Sequence, residues 1–149
     1  MTMSPHPHFT VQPDSIEEAV ALSRKIPELK DPYGADEYRR RLESVPHLVL
    51  TARVEEDPVG FKVGYEREGV FYSWMGGVVP EWRRRGVAQL LARKQEEWAR
   101  ARGYALIRCK TRNCHRAMLI FALRNDFRIV EVEPQDDIDQ HRIWLEKQL

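Results

Sequence analysis

An arginine run stands beside a glycine near the middle of the chain, in the stretch GGVVPEWRRRGVAQLL of residues 76–91. Arg83 to Arg85 follow a short apolar run, and Gly86 and Ala88 come next, where a helical pattern begins. The first amides of a helix have no partner within the helix, and the helix dipole adds partial positive charge there. Phosphate groups bind at such helix starts. The pattern therefore predicts a phosphate or pyrophosphate site at this strand-to-helix corner.

The small residues of this corner have a physical purpose. A side chain at Gly86 or Ala88 would hold an anion away from the backbone, and Gly86 also adopts turn dihedral angles at little cost. The arginines add charge, and the guanidinium fork matches phosphate oxygens. Pro80 lacks an N–H and so favours divergence of the strand from its neighbour. Because the spacing is neither GxxxxGK[ST] nor GxGxxG, it disfavours nucleotide hydrolysis and a dinucleotide fold.

Charge is segregated along the chain although the net charge is only +1. Residues 1–79 hold 9 basic and 13 acidic residues, residues 80–128 hold 13 and 4, and residues 129–149 hold 2 and 6. A basic central segment between acidic flanks favours a local anion site. Scattered, solvated helix surface is the alternative. Nucleic-acid binding by this segment is a third, disfavoured hypothesis, because the net charge is close to zero.

The elements that would position the corner follow from hydrophobic periodicity. The patterns predict the order β-α-α-β-β-β-α-β-α-β-β, a mixed α/β fold in one domain that spans residues 1–149. Asp14 or Ser15 is predicted to cap the first helix, and Asp57-Pro58 to form a turn between strands. A hairpin turns at Gly69, and the helix that begins near Gly86 ends at Gly103.

Several protein classes lack support in the sequence. The longest apolar runs, residues 70–79 and 117–123, are shorter than the roughly 20 residues of a membrane span. No basic stretch with an apolar core opens the chain, so we expect no secretory signal and a cytoplasmic location. Cys109 and Cys114 match neither a zinc site nor a CxxC motif, so we predict free thiols and no metal.

The corner and its surroundings resemble a known family. Val78, Pro80, Arg83, Gly86 and Ala88 form V-x-P-x-x-R-x-x-G-x-A, which resembles the acetyl-CoA loop of the GNAT superfamily of N-acetyltransferases. A hairpin precedes the motif, and a strand and the segment TRNCHRAMLIFALRNDF follow it. The resemblance implies a mostly antiparallel central sheet with a splayed strand pair and flanking helices. It implies acetyl-CoA as co-substrate, with no metal.

The resemblance also implies roles for individual residues. Backbone groups of Val78 and Val79 would bind the pantetheine arm, and Asn113, which is predicted to open the later helix, would contact the same arm. Met118 and Phe121 would form apolar walls. The pyrophosphate would be held by the loop residues Arg83, Arg84, Arg85, Gly86, Val87 and Ala88.

Two positions depart from the pattern of that family. The usual Gly-Phe after the later helix appears as Asp126-Phe127, and Asn125 or Asp126 is expected to supply the left-handed turn. The tyrosine that often stands five residues before this phenylalanine, and is proposed to protonate the departing thiolate, is replaced by Ala122.

A general base is not identified by the sequence. Residues 70–79 contain no carboxylate, although many relatives place a base on that strand. The polar candidates are Tyr72, Ser73, His115 and Glu66. Tyr72 has the alternative of packing as a strand aromatic, and His115 that of a solvated helix residue. No base neighbours either cysteine in the pattern, which disfavours a covalent thiol mechanism.

The resemblance implies an N-acetyltransferase that moves an acetyl group to a primary amine of a small molecule or peptide, by direct attack in a ternary complex. A CoA-binding or regulatory module that has lost turnover is the alternative. Acidic and aromatic residues between the first two helices suit a cationic amine, or else are ordinary solvated surface: Glu28, Asp31, Asp36, Glu37, Tyr33 and Tyr38. We expect no nucleic-acid or membrane partner, and a homodimer stays open.

Overall fold

A computed structural model describes residues 8–149. The elements, which confirm the predicted order, are β1 (Phe9–Pro13), α1 (Ile16–Ser23), α2 (Ala35–Leu42), β2 (His47–Val54), β3 (Asp57–Arg67), β4 (Val70–Val78), α3 (Val87–Ala101), β5 (Leu106–Arg112), α4 (Arg116–Arg124), β6 (Arg128–Glu133) and β7 (Arg142–Gln148). The prediction that no secretory signal opens the chain rests mostly on residues 1–7, which lie outside the described residues.

All seven strands form one mixed sheet in the order β1-β2-β3-β4-β5-β7-β6. Neighbouring strands are antiparallel except β4 and β5, which are parallel. Only three residue pairs join β4 to β5, and the last is Ser73 with Cys109. Because β4 continues to Val78 and β5 to Arg112, the two strands separate beyond that pair. The predicted fold class, with its splayed strand pair, is confirmed.

Helices cover both faces of the sheet. A Cβ on Gly77 would lie 2.5 Å from Ile26, which follows α1, so α1 and α2 cover what we call the front face. A Cβ on Gly60 would lie 3.1 Å from Val87 of α3, so α3 covers the opposite, back face. Residues of α3 and α4 line one cavity over β4 and β5, which places α4 on the back face as well.

Large apolar side chains fill the space between the sheet and its helices. Tyr38, Phe61, Phe71, Leu91 and Ile107 are each 2% exposed or less. Burial of one such side chain contributes about 1.5–3 kcal/mol to stability. The apolar faces predicted from periodicity therefore anchor the elements around the gap between β4 and β5.

The sequence predicts the start of α1 correctly and one turn between strands incorrectly. Ser15 caps α1, since its Oγ accepts a hydrogen bond of 3.2 Å from the Glu18 N–H. The prediction that Asp57-Pro58 forms a turn is wrong. Pairing of β2 with β3 continues through these two residues, and the chain turns at Glu55, which has a φ of 58°. Among residues 8–149, no helix has the length and apolar character that a membrane crossing requires.

Candidate functional site

The start of α3 presents open backbone donors. Gly86 is the N-cap residue with a φ of 87°, and no side chain caps the helix. A Cβ on Gly86 would meet no atom within 4 Å, so the surroundings of this residue are open. Val87 is buried under the sheet, whereas Ala88 is exposed. Because unpaired amides and the helix dipole act together at this point, an anion fits here.

The three arginines of the loop have different surroundings. The Arg83 Nε donates to the Val78 carbonyl at 3.0 Å, and its two terminal nitrogens each lie 2.7 Å from a carboxylate oxygen of Glu28. Arg83 therefore ties the loop to β4 and to the segment after α1. Arg84 and Arg85 are exposed and make no ion pair within residues 8–149. These two cations are the ones available to an incoming phosphate.

The backbone of β4 faces the gap at alternate residues. The Val79 N–H donates to the Val59 carbonyl at 2.9 Å, so it belongs to the sheet. In an antiparallel pair, adjacent residues of one strand direct their N–H and C=O groups to opposite sides of that strand. Val78 therefore presents its backbone polar groups to the gap between β4 and β5. Of the two predicted backbone contacts, Val78 is free to offer an N–H there, and Val79 is not.

A cavity of about 20 Å³ lies on the back face beside the end of the β4–β5 pairing. A volume of this size holds about one water molecule. Met118 and Phe121, predicted as apolar walls, both line it. The lining residues come from β3, β4, α3, β5 and α4 and the turn after α4: Lys62, Ser73, Ala92, Gln95, Glu96, Ile107, Cys109, Met118, Phe121, Ala122, Asn125 and Phe127.

Comparison with known proteins identifies this architecture. The sequence profile described as "Acetyltransferase (GNAT) domain" matches residues 7–109, from the residues before β1 to the middle of β5. The chain belongs to the GNAT acetyltransferase family. A comparison with curated protein sequences finds no match.

Solved structures agree with the GNAT fold. The ribosomal-protein-S18-alanine N-acetyltransferase of Escherichia coli superposes with a TM-score of 0.81 at 13% identity, covering 95% of this chain and 94% of the other. Ard1 of Thermoplasma volcanium gives 0.79 at 18% identity over 95% and 97%. A GNAT acetyltransferase of Elizabethkingia anophelis with acetyl-CoA bound gives 0.74 at 15% identity over 95% and 98%.

The two departures from the GNAT sequence pattern lie near the end of α4 and directly after it. Asp126 has a φ of 70° and supplies the left-handed turn after α4, while Asn125 has an ordinary φ of −97°. Ala122 is 2% exposed and lines the back-face cavity, so the usual tyrosine is replaced by a methyl group beside the end of the β4–β5 pairing. No phenol is therefore supplied by this position of α4.

The prediction that Asn113 opens α4 is wrong. The helix starts at Arg116 with His115 as its N-cap residue. Asn113 is bound elsewhere, because its Nδ2 donates to the Ile138 carbonyl at 3.0 Å and its N–H to the His141 carbonyl at 2.9 Å. Asn113 thus fastens the turn after β5 to the segment before β7.

The predicted catalytic residues are not brought together. Tyr72 is 3% exposed and packs on the front face against Tyr65 and Trp144. Burial raises its pKa. Ser73 lines the back-face cavity, on the opposite side of the same strand. Glu66 accepts a hydrogen bond of 3.0 Å from the Tyr104 hydroxyl near the hairpin end of β3, away from the gap.

Neither His115 nor the cysteines form a nucleophile and base. His115 is the N-cap residue that precedes α4, and its side chain does not cap the helix. Cys109 is buried and Cys114 exposed, and both are free thiols. Burial raises the pKa of Cys109 to about 11, so this thiol is protonated at neutral pH. The thiolate that covalent catalysis requires is therefore disfavoured at Cys109.

Three of the four carboxylates predicted to receive a cationic amine are paired with arginines. Glu28 is held by Arg83, and Asp36 lies 3.4 Å from Arg39. Glu37 is bound by Arg40 and Arg41, whose hydrogen bonds lower its pKa to about 2. Asp31 is the exposed exception, with no ion pair within residues 8–149.

The aromatic residues predicted for the same role differ in access. Tyr38 is fully buried, and burial raises its pKa to about 12. Tyr33 is 47% exposed and stacks on Trp74 with ring centres 5.8 Å apart. Of the two predicted tyrosines, only Tyr33 therefore offers aromatic surface on the front face, beside the half-buried Trp74.

Sequence reasoning missed Lys62. This lysine stands between Gly60 and Gly64 on the back face of β3 and lines the cavity. It makes no ion pair or hydrogen bond within residues 8–149, and burial lowers its pKa. The side-chain amide of Gln95 is also buried there without a partner. The alternation Gly-x-Lys-x-Gly in a strand under a helix was the available signal.

Proposed function

We propose that this GNAT protein transfers an acetyl group from acetyl-CoA to a primary amine by direct attack in a ternary complex. The observation that carries the proposal is the gap between β4 and β5, which begins beside the cavity at Cys109 and runs along the end of β4, the strand that precedes the uncapped start of α3. Backbone donors line one side of this gap, and open space lies before Gly86. A long ligand with an anionic middle fits this arrangement better than a compact one.

The chain offers a group for each part of such a ligand. The amides from Gly86 to Ala88 would hold the pyrophosphate, with Arg84 and Arg85 adding charge. Val78 would bind the pantetheine arm through its backbone, after Arg83 releases the Val78 carbonyl. Met118 and Phe121 would cover the arm. Contacts from Val79 and Asn113 stay predictions, since both already make the hydrogen bonds described above.

Acetyl-CoA supplies a thioester carbonyl, at which the amine forms an N–C bond while the C–S bond breaks and the thiol leaves. The N–H of Val78 would stabilise negative charge on the carbonyl oxygen. Holding both reactants in the gap supplies much of the acceleration. The amine must be unprotonated, although a lysine-like amine has a pKa of about 10.4 in water.

Calorimetry with acetyl-CoA tests the binding half of the proposal. We expect the parent protein to bind and the Gly86→Glu variant to lose binding, because the new carboxylate would occupy the anion position. Gly103→Glu is a matched control, since Gly103 has the same φ of 87° and equally open surroundings at the other end of α3. No binding by the parent, or equal binding by the Gly86 variant, would reject the proposal.

A non-catalytic CoA-binding module is the second candidate. It is favoured by Ala122, which removes the usual proton donor, and by the absence of a carboxylate from β4. Release of free thiol from acetyl-CoA is measured across polyamines, aminoglycosides, amino acids and peptides. Release that depends on an amine excludes the pure binder, and binding without any release would favour it.

A homodimer is proposed as the assembly. Support comes from β6, an edge strand whose apolar side chains Ile129, Val130 and Val132 are each 46% to 51% exposed. Sedimentation velocity should give twice the chain mass of 17.6 kDa, and the mass of a single chain at every concentration would reject the dimer.

We also propose that the protein is located in the cytoplasm, which suits the free thiols of Cys109 and Cys114.

A further inference from the structure

The gap between β4 and β5 opens on the front face between Trp74 and Lys110. These residues follow Ser73 and Cys109, the last pair that joins the two strands. Because neighbouring strand residues point to opposite faces, and Ser73 and Cys109 line the back-face cavity, Trp74 and Lys110 point to the front. Trp144 pairs with Lys110 and shares that face. A molecule that reaches the gap from the front therefore passes these three side chains.

Cations surround this opening. The Arg41 guanidinium lies 4.5 Å from the ring centre of Trp74. Lys110 Nζ lies 5.2 Å, and the Arg67 guanidinium 5.9 Å, from the ring centre of Trp144. We call Arg41, Arg67 and Lys110 the front-face cations. The charged ends of all three side chains therefore lie beside aromatic rings of this face.

Two of the front-face cations have no carboxylate partner. Arg67 and Lys110 make no ion pair within residues 8–149, whereas Glu133 and Glu146 on the neighbouring strands are each paired with an arginine. Burial lowers the pKa of Lys110, and the charges of Arg142 and Arg67 lower it further against the opposing charge of Glu133. The surroundings of Lys110 are therefore net positive, and an anion placed there would be stabilised.

We propose that the acceptor is a small amine that also carries a carboxylate, and that Lys110 and Arg67 bind this carboxylate beside Trp144. The proposal rests on the acetyl transfer proposed above and gives its substrate class. It replaces the cationic amine predicted from the acidic residues near α2, because three of those four carboxylates, Glu28, Asp36 and Glu37, already pair with arginines.

The same charges bear on the reactive nitrogen. A positive field lowers the pKa of a nearby amine and so favours the unprotonated form. That form is the nucleophile, and β4 carries no carboxylate to act as its base. The same cations would thus attract the carboxylate of the acceptor and lower the pKa of its amine.

Matched acceptors and variants test the proposal. Thiol release from acetyl-CoA is measured with glycine, phenylalanine and methionine, each against its carboxamide, which keeps the amine and removes the charge. We expect kcat/KM to favour the acid in at least one pair by about tenfold, the size of one charge-assisted contact. Lys110→Met should lower kcat/KM for the acid about tenfold, chiefly through KM, and change kcat/KM for the amide by less than about twofold. Lys94→Met, on an exposed face of α3, should change neither.

The outcomes separate this proposal from the proposed function. Turnover of amides or polyamines at rates equal to or above the acids overturns the carboxylate assignment and leaves acetyl transfer intact. Equal losses on acid and amide in Lys110→Met also overturn it. If no amine is acetylated, acetyl transfer fails. The carboxylate site is then judged by calorimetry of the same pairs with CoA-saturated protein, where undiminished binding of the acid by Lys110→Met rejects it.

Discussion

Lys62 is a cation in a cavity whose one carboxylate, that of Glu96, is already paired with Lys147 at 2.7 Å. Gly60 and Gly64, its neighbours on the same face of β3, let Val87 and Gln95 of α3 pack close to the strand on either side of it. Its lowered pKa means that the folded state binds a proton less tightly than the unfolded chain does. A charged lysine in such surroundings costs free energy of folding.

Replacement of Lys62 should therefore stabilise the protein. Its folded pKa lies below the ordinary 10.5, so the cost is fully present below the folded pKa and is lost as pH rises towards 10.5. We expect Lys62→Met to raise the free energy of unfolding by about 1 kcal/mol at pH 7. The gain should shrink at pH 10.

Urea denaturation at the two pH values measures this effect. Lys94→Met is the control, because Lys94 is exposed and pairs only with Glu97, at 3.5 Å. An equal gain at pH 7 and pH 10, or an equal gain in the control, would contradict the assignment of the cost to a buried charge.

Gly64 is required by close packing. A Cβ at this position would lie 2.5 Å from Phe71 and 2.9 Å from the Gln95 amide nitrogen, and Phe71 is fully buried. We expect Gly64→Ala to lower the free energy of unfolding by about 1–3 kcal/mol through overpacking. The midpoint of chemical denaturation measures it. Gly34→Ala, where a Cβ meets no atom within 4 Å, should change stability little, and a midpoint for Gly64→Ala equal to that of the parent would contradict the packing argument.

At the residue scale, the sequence predicted the anion site at Gly86 better than it predicted the acceptor site. Gly86 was predictable because a small residue with a positive φ before a helix has a local cause. The bond between Arg83 and Glu28 joins residues 55 apart in sequence, and no local pattern indicates it. The cationic amine was predicted from Glu28 and Glu37 for that reason, since their arginine partners were not visible.

At the scale of elements, the loop before α3 contains arginines with separate tasks. Arg83 bonds the Val78 carbonyl and Glu28, whereas Arg84 is exposed. We expect Arg84→Met to weaken acetyl-CoA binding severalfold at low salt, with the difference shrinking as salt screens the charges. Arg83→Met should lower thermal stability, because it frees the loop from β4.

Calorimetry at two salt concentrations and a thermal melt distinguish the two variants. Arg93→Met is a suitable control, since Arg93 is an exposed residue of α3 with no ion pair within residues 8–149. Identical behaviour of the Arg83 and Arg84 variants in both measurements would show that the loop does not divide these tasks.

Element order was predictable because each apolar period matches one buried face. The element boundaries that depend on tertiary contacts were not predictable from the sequence. Asn113 has the residue type of an N-cap but binds the Ile138 carbonyl, and the chain turns two residues before Asp57-Pro58 because β2 and β3 pair through them. The splay was expected from Pro80 and from the family resemblance, but neither indicates that the strand pairing stops at Ser73.

At the scale of the molecule, acetyl-CoA binding should stabilise the folded state. Saturation at 100 times Kd adds about 2.7 kcal/mol, which raises Tm by roughly 5–10 °C for a chain of this length. Differential scanning fluorimetry with increasing acetyl-CoA measures the shift. The Gly103→Glu control should shift like the parent and Gly86→Glu should not, while a constant Tm in the parent would contradict binding.

The short seam between β4 and β5 divides the sheet into two parts, β1 to β4 and β5 to β7, joined by three residue pairs. A bound pantetheine arm would serve as a substitute strand along Val78. Amides beside the gap would then exchange their hydrogens quickly in the free protein and slowly in the complex, while those of β2 and β3 would exchange slowly in both. Ligand binding would in this way make two weakly coupled half-sheets open and close as one unit.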